Sequence, residues 1–205
     1  MRIIGGKYRG TRLADFRGTD TRPLLDKARQ AVFNILGPSV AGARVADLFC
    51  GTGSFGLEAL SRGALSCEFV DLGRGALETL GRNLQKLRIG EDEARRQRGC
   101  VFRHVERRDP TSGLLDLVFL DPPYSLLRED KGRGRLAELL VSEALARNLA
   151  EEATVLLHVE REAGFVVPTG RLQVQDERIY GRSTLVFLGA ESDRIPGQDP
   201  PPPSR

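Results

Sequence analysis

At 205 residues the chain suits one domain with a small extension, and 40% hydrophobic with 29% charged residues is an ordinary globular balance. No apolar run approaches the ~18 residues of a membrane span, and Met1-Arg-Ile-Ile-Gly-Gly lacks a signal-peptide core. Three cysteines, Cys50, Cys67 and Cys100, are an odd number without metal-ligand spacing; they read as reduced thiols in a cytoplasmic protein that binds no metal.

The net charge is +3 with a pI near 9.0. It is unevenly spread: residues 1–30 hold eight cations against three acids, a net +5. A basic arm on a near-neutral body suits nucleic acid, or serves as a solubilising surface. Gly5-Gly-Lys-Tyr-Arg-Gly10 lies between Arg2-Ile-Ile and Thr11-Arg-Leu, which predicts a small hairpin over residues 1–20. Its cations Lys7, Arg9 and Arg12, with Arg22 beyond it, are candidate phosphate contacts. Ala28, Ala31, Val32, Ile35 and Leu36 then recur at helical spacing, and Gly37-Pro38 ends that helix.

From Arg44 the pattern alternates strand and helix. A strand at 44–49 precedes a helix at 55–62, and a strand at 66–71 precedes a helix through Ala76, Leu77, Leu80, Leu84 and Leu87. The charged stretch Gly90 to Gly99 reads as a loop before a weak strand at 100–105. A strand at 115–120, a helix at 134–149 and a strand at 153–159 follow, and Arg171 to Leu188 reads as a hairpin turning near Gly181. Alternating units imply a mostly parallel, doubly wound α/β sheet, with the hairpin as an antiparallel edge. Residues 21–189 form the domain; 190–205 read as a solvated, disordered Pro-rich tail.

Three strand ends carry chemistry. Asp47-Leu-Phe-Cys-Gly51-Thr-Gly53-Ser-Phe-Gly56 reads as strand, tight turn, helix. Asp71 ends the next apolar run, 20 residues after Gly51, where a ribose-binding acid belongs. Asp121-Pro122-Pro123-Tyr124 ends a later one. Strand ends converge on one crevice in such sheets. Together the three point to an S-adenosylmethionine (SAM) site with an amino-methylating loop. The turn's amides would hold the carboxylate of SAM, Asp71 its ribose hydroxyls and Asp47 its amino group, unless Asp47 merely caps the turn. Phe49, Cys50 and Leu72 flank these positions.

No lysine follows the glycines as a P-loop requires. Gly51-Thr-Gly-Ser-Phe-Gly56 also satisfies a dinucleotide fingerprint, but a nicotinamide enzyme leaves Asp-Pro-Pro-Tyr unexplained. A nucleobase's exocyclic nitrogen is a poor nucleophile because its lone pair is delocalised. Asp121 and the Pro122 carbonyl would accept its two N–H bonds, the prolines would fix the loop and Tyr124 would stack on the base. His104 and His158, the only histidines, lie near no acid–nucleophile pair in sequence and read as structural or surface residues.

The chain resembles the RsmD-type bacterial 16S rRNA guanine-N2 methyltransferases. The resemblance rests on the block Arg2-Ile-Ile-Gly-Gly-Lys-Tyr-Arg-Gly10, on Thr21-Arg-Pro23 with Asp26 and Arg29, on Val32-Phe-Asn-Ile-Leu36, on the run from Asp47 to Gly63, and on Val118 to Tyr124. It implies a Rossmann-like, seven-stranded class I fold, SAM as co-substrate, and methylation of one guanine N2 of 16S rRNA in small subunits or their assembly intermediates. A monomer is expected. Cys50 stands where the family has a small residue such as Ala, and Gly73 where it has a second acid. For the acid that flanks the adenine, Asp109 is the nearest candidate and Glu106 another. The alternatives are a DNA or other RNA amino methyltransferase of the adenine-N6 type, and a SAM- or nucleotide-binding module without catalysis; the intact Asp121-Pro-Pro-Tyr124 argues against the latter.

Overall fold

The most apolar runs of the chain end up where parallel strands are covered on both faces. In a computed structural model, which describes residues 1–15 and 23–190, β1 (Arg44–Leu48) and β4 (Leu115–Leu120) lie side by side at the sheet centre. Outward on one side come β2 (Ser66–Asp71) and the edge strand β3 (Ala94–Arg98). On the other come β5 (Leu149–Glu160), β7 (Ser183–Ala190) and β6 (Leu172–Tyr180), giving the order β3-β2-β1-β4-β5-β7-β6. The first five strands are parallel; β7 and β6 are antiparallel. This is the expected seven-stranded, doubly wound, Rossmann-like sheet with its closing hairpin.

One face is covered by α1 (Pro23–Leu36), α2 (Ser54–Ser61) and α3 (Arg74–Leu87). Leu77, Leu80, Leu84 and Leu87 form the buried stripe of α3. Phe119 of β4 is held between Phe33 of α1 and Phe55 of α2, at centroid distances of 5.7 and 5.0 Å. The other face packs α4 (Val101–Arg107), α5 (Tyr124–Arg128), α6 (Asp130–Val141) and α7 (Glu143–Ala146).

Three expectations are corrected. Residues 94–98 are a strand, not part of a loop: β3 pairs only with β2, and four of its five side chains are exposed, so charges on an edge replace the alternation that marks a half-buried strand. The strand expected at 100–105 is α4, whose Val101, Phe102 and Val105 bury one helical face. The single helix expected at 134–149 is α6 and α7, divided where the Ser142 hydroxyl accepts the Leu145 amide and starts a new helix. The remaining strands and the helix after the glycine turn fall within a few residues of the expected spans.

The arm is a hairpin with an antiparallel bridge between Arg2 and Arg12. It is bolted to α2. The amides of Ile4 and Gly5 each donate 2.8 Å bonds to the buried carboxylate of Glu58, and Ile3 and Leu13 are core residues. The tail expected at 190–205 lies outside the described residues from 191 on.

Candidate active site

The strand order reverses between β1 and β4, and there the glycine turn meets Asp121. The Asp121 amide donates to the Leu48 carbonyl at 3.3 Å, tying the two loops together. Cys67, Phe69, Leu117, Phe119 and Leu156 pack on the α1–α3 face. The two-residue period of a strand carries Asp71, Asp121 and His158 to that same face.

Each glycine of the turn has its own reason. Gly51 (φ +54°) and Gly53 (φ +87°) take left-handed backbone; a Cβ on Gly51 would meet open space, one on Gly53 the Leu80 side chain at 2.6 Å. Gly56 brings α2 against β2 so closely that a Cβ would lie 2.3 Å from the Phe69 ring. Phe49 also holds φ at +63°, a left-handed conformation costly for a bulky residue. Its ring packs edge-on against Phe102, over which the Arg135 guanidinium stacks at 4.0 Å.

Asp71 organises the turn. Its Oδ2 accepts the Gly51 amide at 2.9 Å and its Oδ1 the Gly73 amide at 2.6 Å. Asp47, 1% exposed, accepts the Gly56 amide through Oδ2 at 2.8 Å, so it does cap the helix that follows the turn. Burial pushes the Asp47 carboxyl well above the usual range; the Gly56 amide opposes this, and the Asp121 and Asp71 charges add to it. Burial also drives the Cys50 thiol far up, so Cys50 is an inert apolar wall. Leu72, beyond Asp71, is 65% exposed at the mouth.

In the Asp121 loop Pro122 is buried, Pro123 exposed and Tyr124 half-buried at the start of α5. The register Leu120↔Leu157 sets Asp121 beside His158 on β5, and His158 Nδ1 lies 2.7 Å from Asp121 Oδ1. His158, read from sequence as structural or surface, is buried against Asp121. Local sequence held no signal for it, because the register of β5 on β4 is a long-range property. Burial disfavours the His158 imidazolium, but the Asp121 charge and hydrogen bond outweigh that and raise its pKa.

Asp109 is the second correction. It follows α4, caps the turn Pro110–Ser112 through the Thr111 amide, and so stands at the end of the sheet where β4 begins, opposite the glycine turn. Glu106 lies near the same end of α4. The residues that do end β3 beside Asp71 are 98–101; the Gly99 amide donates to the Asp71 carbonyl at 3.0 Å.

The tip of the basic arm lies away from the crevice. The Lys7 amide donates to the Ser61 carbonyl at the far end of α2, and its ammonium pairs with Glu93 at 3.1 Å, just before β3 begins. Arg9 and Arg12 are exposed, and Arg22 lies outside the described residues. The base of the arm does approach the site: the Ala14 amide donates to Asn83 Oδ1, and Asn83 Nδ2 reaches the Thr52 carbonyl in the glycine turn at 3.4 Å.

A family model described as "Conserved hypothetical protein 95" matches residues 1–189. Ribosomal RNA small subunit methyltransferase D of Escherichia coli (strain K12) is 31% identical over 184 residues, covering 89% of this chain and 86% of the relative. The protein of the same name from Haemophilus influenzae (strain ATCC 51907 / DSM 11121 / KW20 / Rd) is 31% identical over 171 residues, covering 82% and 83%. The solved structure of yhhF from Escherichia coli superposes with a TM-score of 0.77 at 29% identity, over 94% of this chain and 99% of that one.

Proposed function

This chain belongs to the family described as Conserved hypothetical protein 95, the RsmD family, and from that premise we propose that it transfers a methyl group from SAM to the exocyclic N2 of a guanine in 16S rRNA. The observation that carries the reading is the Asp121 loop, joined to the glycine turn through the Leu48 carbonyl at the point where the strand order reverses. The relatives matched over most of the chain are named small subunit methyltransferases, which supports the RNA class of substrate.

The residues fit SAM. A ligand with a sulfonium and an ammonium suits a pocket where the Asp121 and Asp71 charges add to the cost of ionising buried Asp47. Open space in front of Gly51 admits it. When bound, SAM supplies an electrophilic methyl group on sulfur. Asp71 keeps further lone pairs beyond those used by Gly51 and Gly73, and these would accept the ribose hydroxyls. Asp47 Oδ1 would face the amino group. Leu72 and residues 99–101 would flank the adenine, in place of Asp109. Asp121 and the Pro122 carbonyl would accept the two N–H bonds of the guanine amine and free its lone pair for attack, while Tyr124 stacks on the base. The amine needs no strong base first, since its proton becomes acidic once the nitrogen is methylated.

The test is nucleoside mass spectrometry of rRNA from cells with and without this protein, paired with purified enzyme and tritiated SAM. N2-methylguanosine missing from 16S rRNA, with tritium entering RNA and not DNA, is the expected result. Unchanged nucleosides, or label in DNA, would overturn it in favour of another amine.

A further inference from the structure

We infer that His158 is a positioning residue for the transfer: its Nδ1–H clamps Asp121 Oδ1 so that Oδ2 is left to receive the substrate amine. The inference rests on the amino-methyltransferase reading and deepens it. His158 is 5% exposed and sits on β5 between the central strand β4 and β7, where its partner is Leu185. Nδ1 lies 2.7 Å from Asp121 Oδ1. A carboxylate only accepts, so Nδ1 carries the hydrogen. Nε2 is buried and has no hydrogen-bond partner among the described residues.

That orphaned nitrogen is the informative part. A histidine kept only for packing gains nothing here over an apolar residue, which would leave no polar atom unsatisfied. The imidazole spends one nitrogen on Asp121 and leaves the other unmatched, so the Asp121 bond is what the side chain supplies. Asp121 needs it: the terminal torsion of an aspartate is broad and about two-fold, and its side chain is 35% exposed at the crevice. The backbone end of the loop is already fixed by the Leu48 carbonyl and by Phe119, held between Phe33 and Phe55. His158 fixes the remaining freedom, the rotation of the carboxylate itself. It touches neither methyl donor nor base; it acts through Asp121.

The test uses the full chain with small-subunit particles from cells lacking the enzyme. In His158→Leu, turnover should fall about 10- to 100-fold, the loss of one hydrogen bond to a charged group, with SAM affinity and the KM for the particle unchanged. His158→Asn, whose amide N–H starts from the same position as Nδ1, should restore turnover to within about 3-fold. In an Asp121→Ala background His158→Leu should cost nothing further. Should His158→Leu fail to fold, His158→Phe carries the same comparison. Imidazole 15N NMR of the ligand-free protein should find the proton on Nδ1, with that signal shifting in Asp121→Asn. Unchanged turnover in His158→Leu, equal losses in the Leu and Asn variants, or an Nδ1 that carries no proton would overturn the inference. If Asp121→Ala is inactive while His158→Leu is normal, only this inference fails; if Asp121→Ala is as active as the parent, the proposed function fails with it.

Discussion

Asp71 holds the glycine turn from both sides, so its loss touches the site twice. Asp71→Ala removes the proposed ribose acceptor and also the carboxylate that fixes the Gly51 and Gly73 amides. SAM affinity should fall roughly 10- to 150-fold, the cost of a hydrogen bond to a charged group, and the melting temperature should drop as well, since the Gly51 and Gly73 amides lose their acceptor. Calorimetric titration giving parental affinity in a folded variant would remove Asp71 from the site. Asp121→Ala should behave oppositely: SAM binding stays and turnover drops on the order of 10²–10³, the usual cost of a preorganised electrostatic group. Near-normal turnover would refute the mechanism. These acids were legible in the sequence because each ends an apolar run, and a parallel sheet gathers such ends at one edge. Asp109 misled for the same reason: with the strand placed at 100–105 instead of 94–98, an acid at the wrong end of the sheet falls just after it. His158 was out of reach, since it depends on which residue of β5 faces Asp121.

Among the elements, β3 and α4 were the least legible: β3 is held by backbone pairing to β2 along a charged edge, and α4 is tied to β2 by charge as well as by its apolar face. Glu68 of β2 accepts from Arg108 at 2.8 Å and lies 3.3 Å from His104 Nε2, while Arg108 also reaches Asn148 and the Gly113 carbonyl. Burial works against the Glu68 charge, but the His104 and Arg108 hydrogen bonds outweigh it and lower its pKa from 4.5 to about 2. A carboxyl whose pKa is depressed by folding stabilises the protein above its unfolded value, and loses that contribution as pH falls through its folded value. The Glu68 share is therefore complete above about pH 5 and disappears between 4.5 and about 2. At pH 7 Glu68→Gln should lose about 2–3 kcal/mol, allowing for partial exposure of the carboxylate. Urea melts of parent and variant should converge as pH drops from 5 towards 2. A difference that stays constant over that interval would mean that packing, not charge, joins α4 to the sheet. Such a charged join leaves no mark in hydrophobic periodicity, and three apolar positions in a seven-residue helix are too few to tell it from a short strand.

At the scale of the whole molecule the question is how a small domain would hold the RNA proposed as its substrate. The sequence made the arm visible by its charge but not its place, because the anchor is Glu58, a residue inside α2 more than fifty positions away. With its tip at the Ser61 end of α2, a helix about 12 Å long, the arm extends the cationic surface away from the crevice rather than lining it. Phosphate contacts there would fix the register of the RNA while the Asp121 loop handles the base. Lys7 is already paired with Glu93, so reversing its charge would break an ion pair within the protein as well as any bond to RNA. Arg9 and Arg12 are the cleaner probes: both are exposed, and neither makes an ion pair among the described residues. Arg9→Glu with Arg12→Glu should weaken binding of small-subunit RNA and lower the slope of log affinity against log salt by about one for each phosphate no longer neutralised. SAM affinity should not move, since among the described residues the arm reaches the glycine turn from its base, through Asn83. If the slope is unchanged, the hairpin serves the fold alone, and the RNA must be held by cations nearer the crevice.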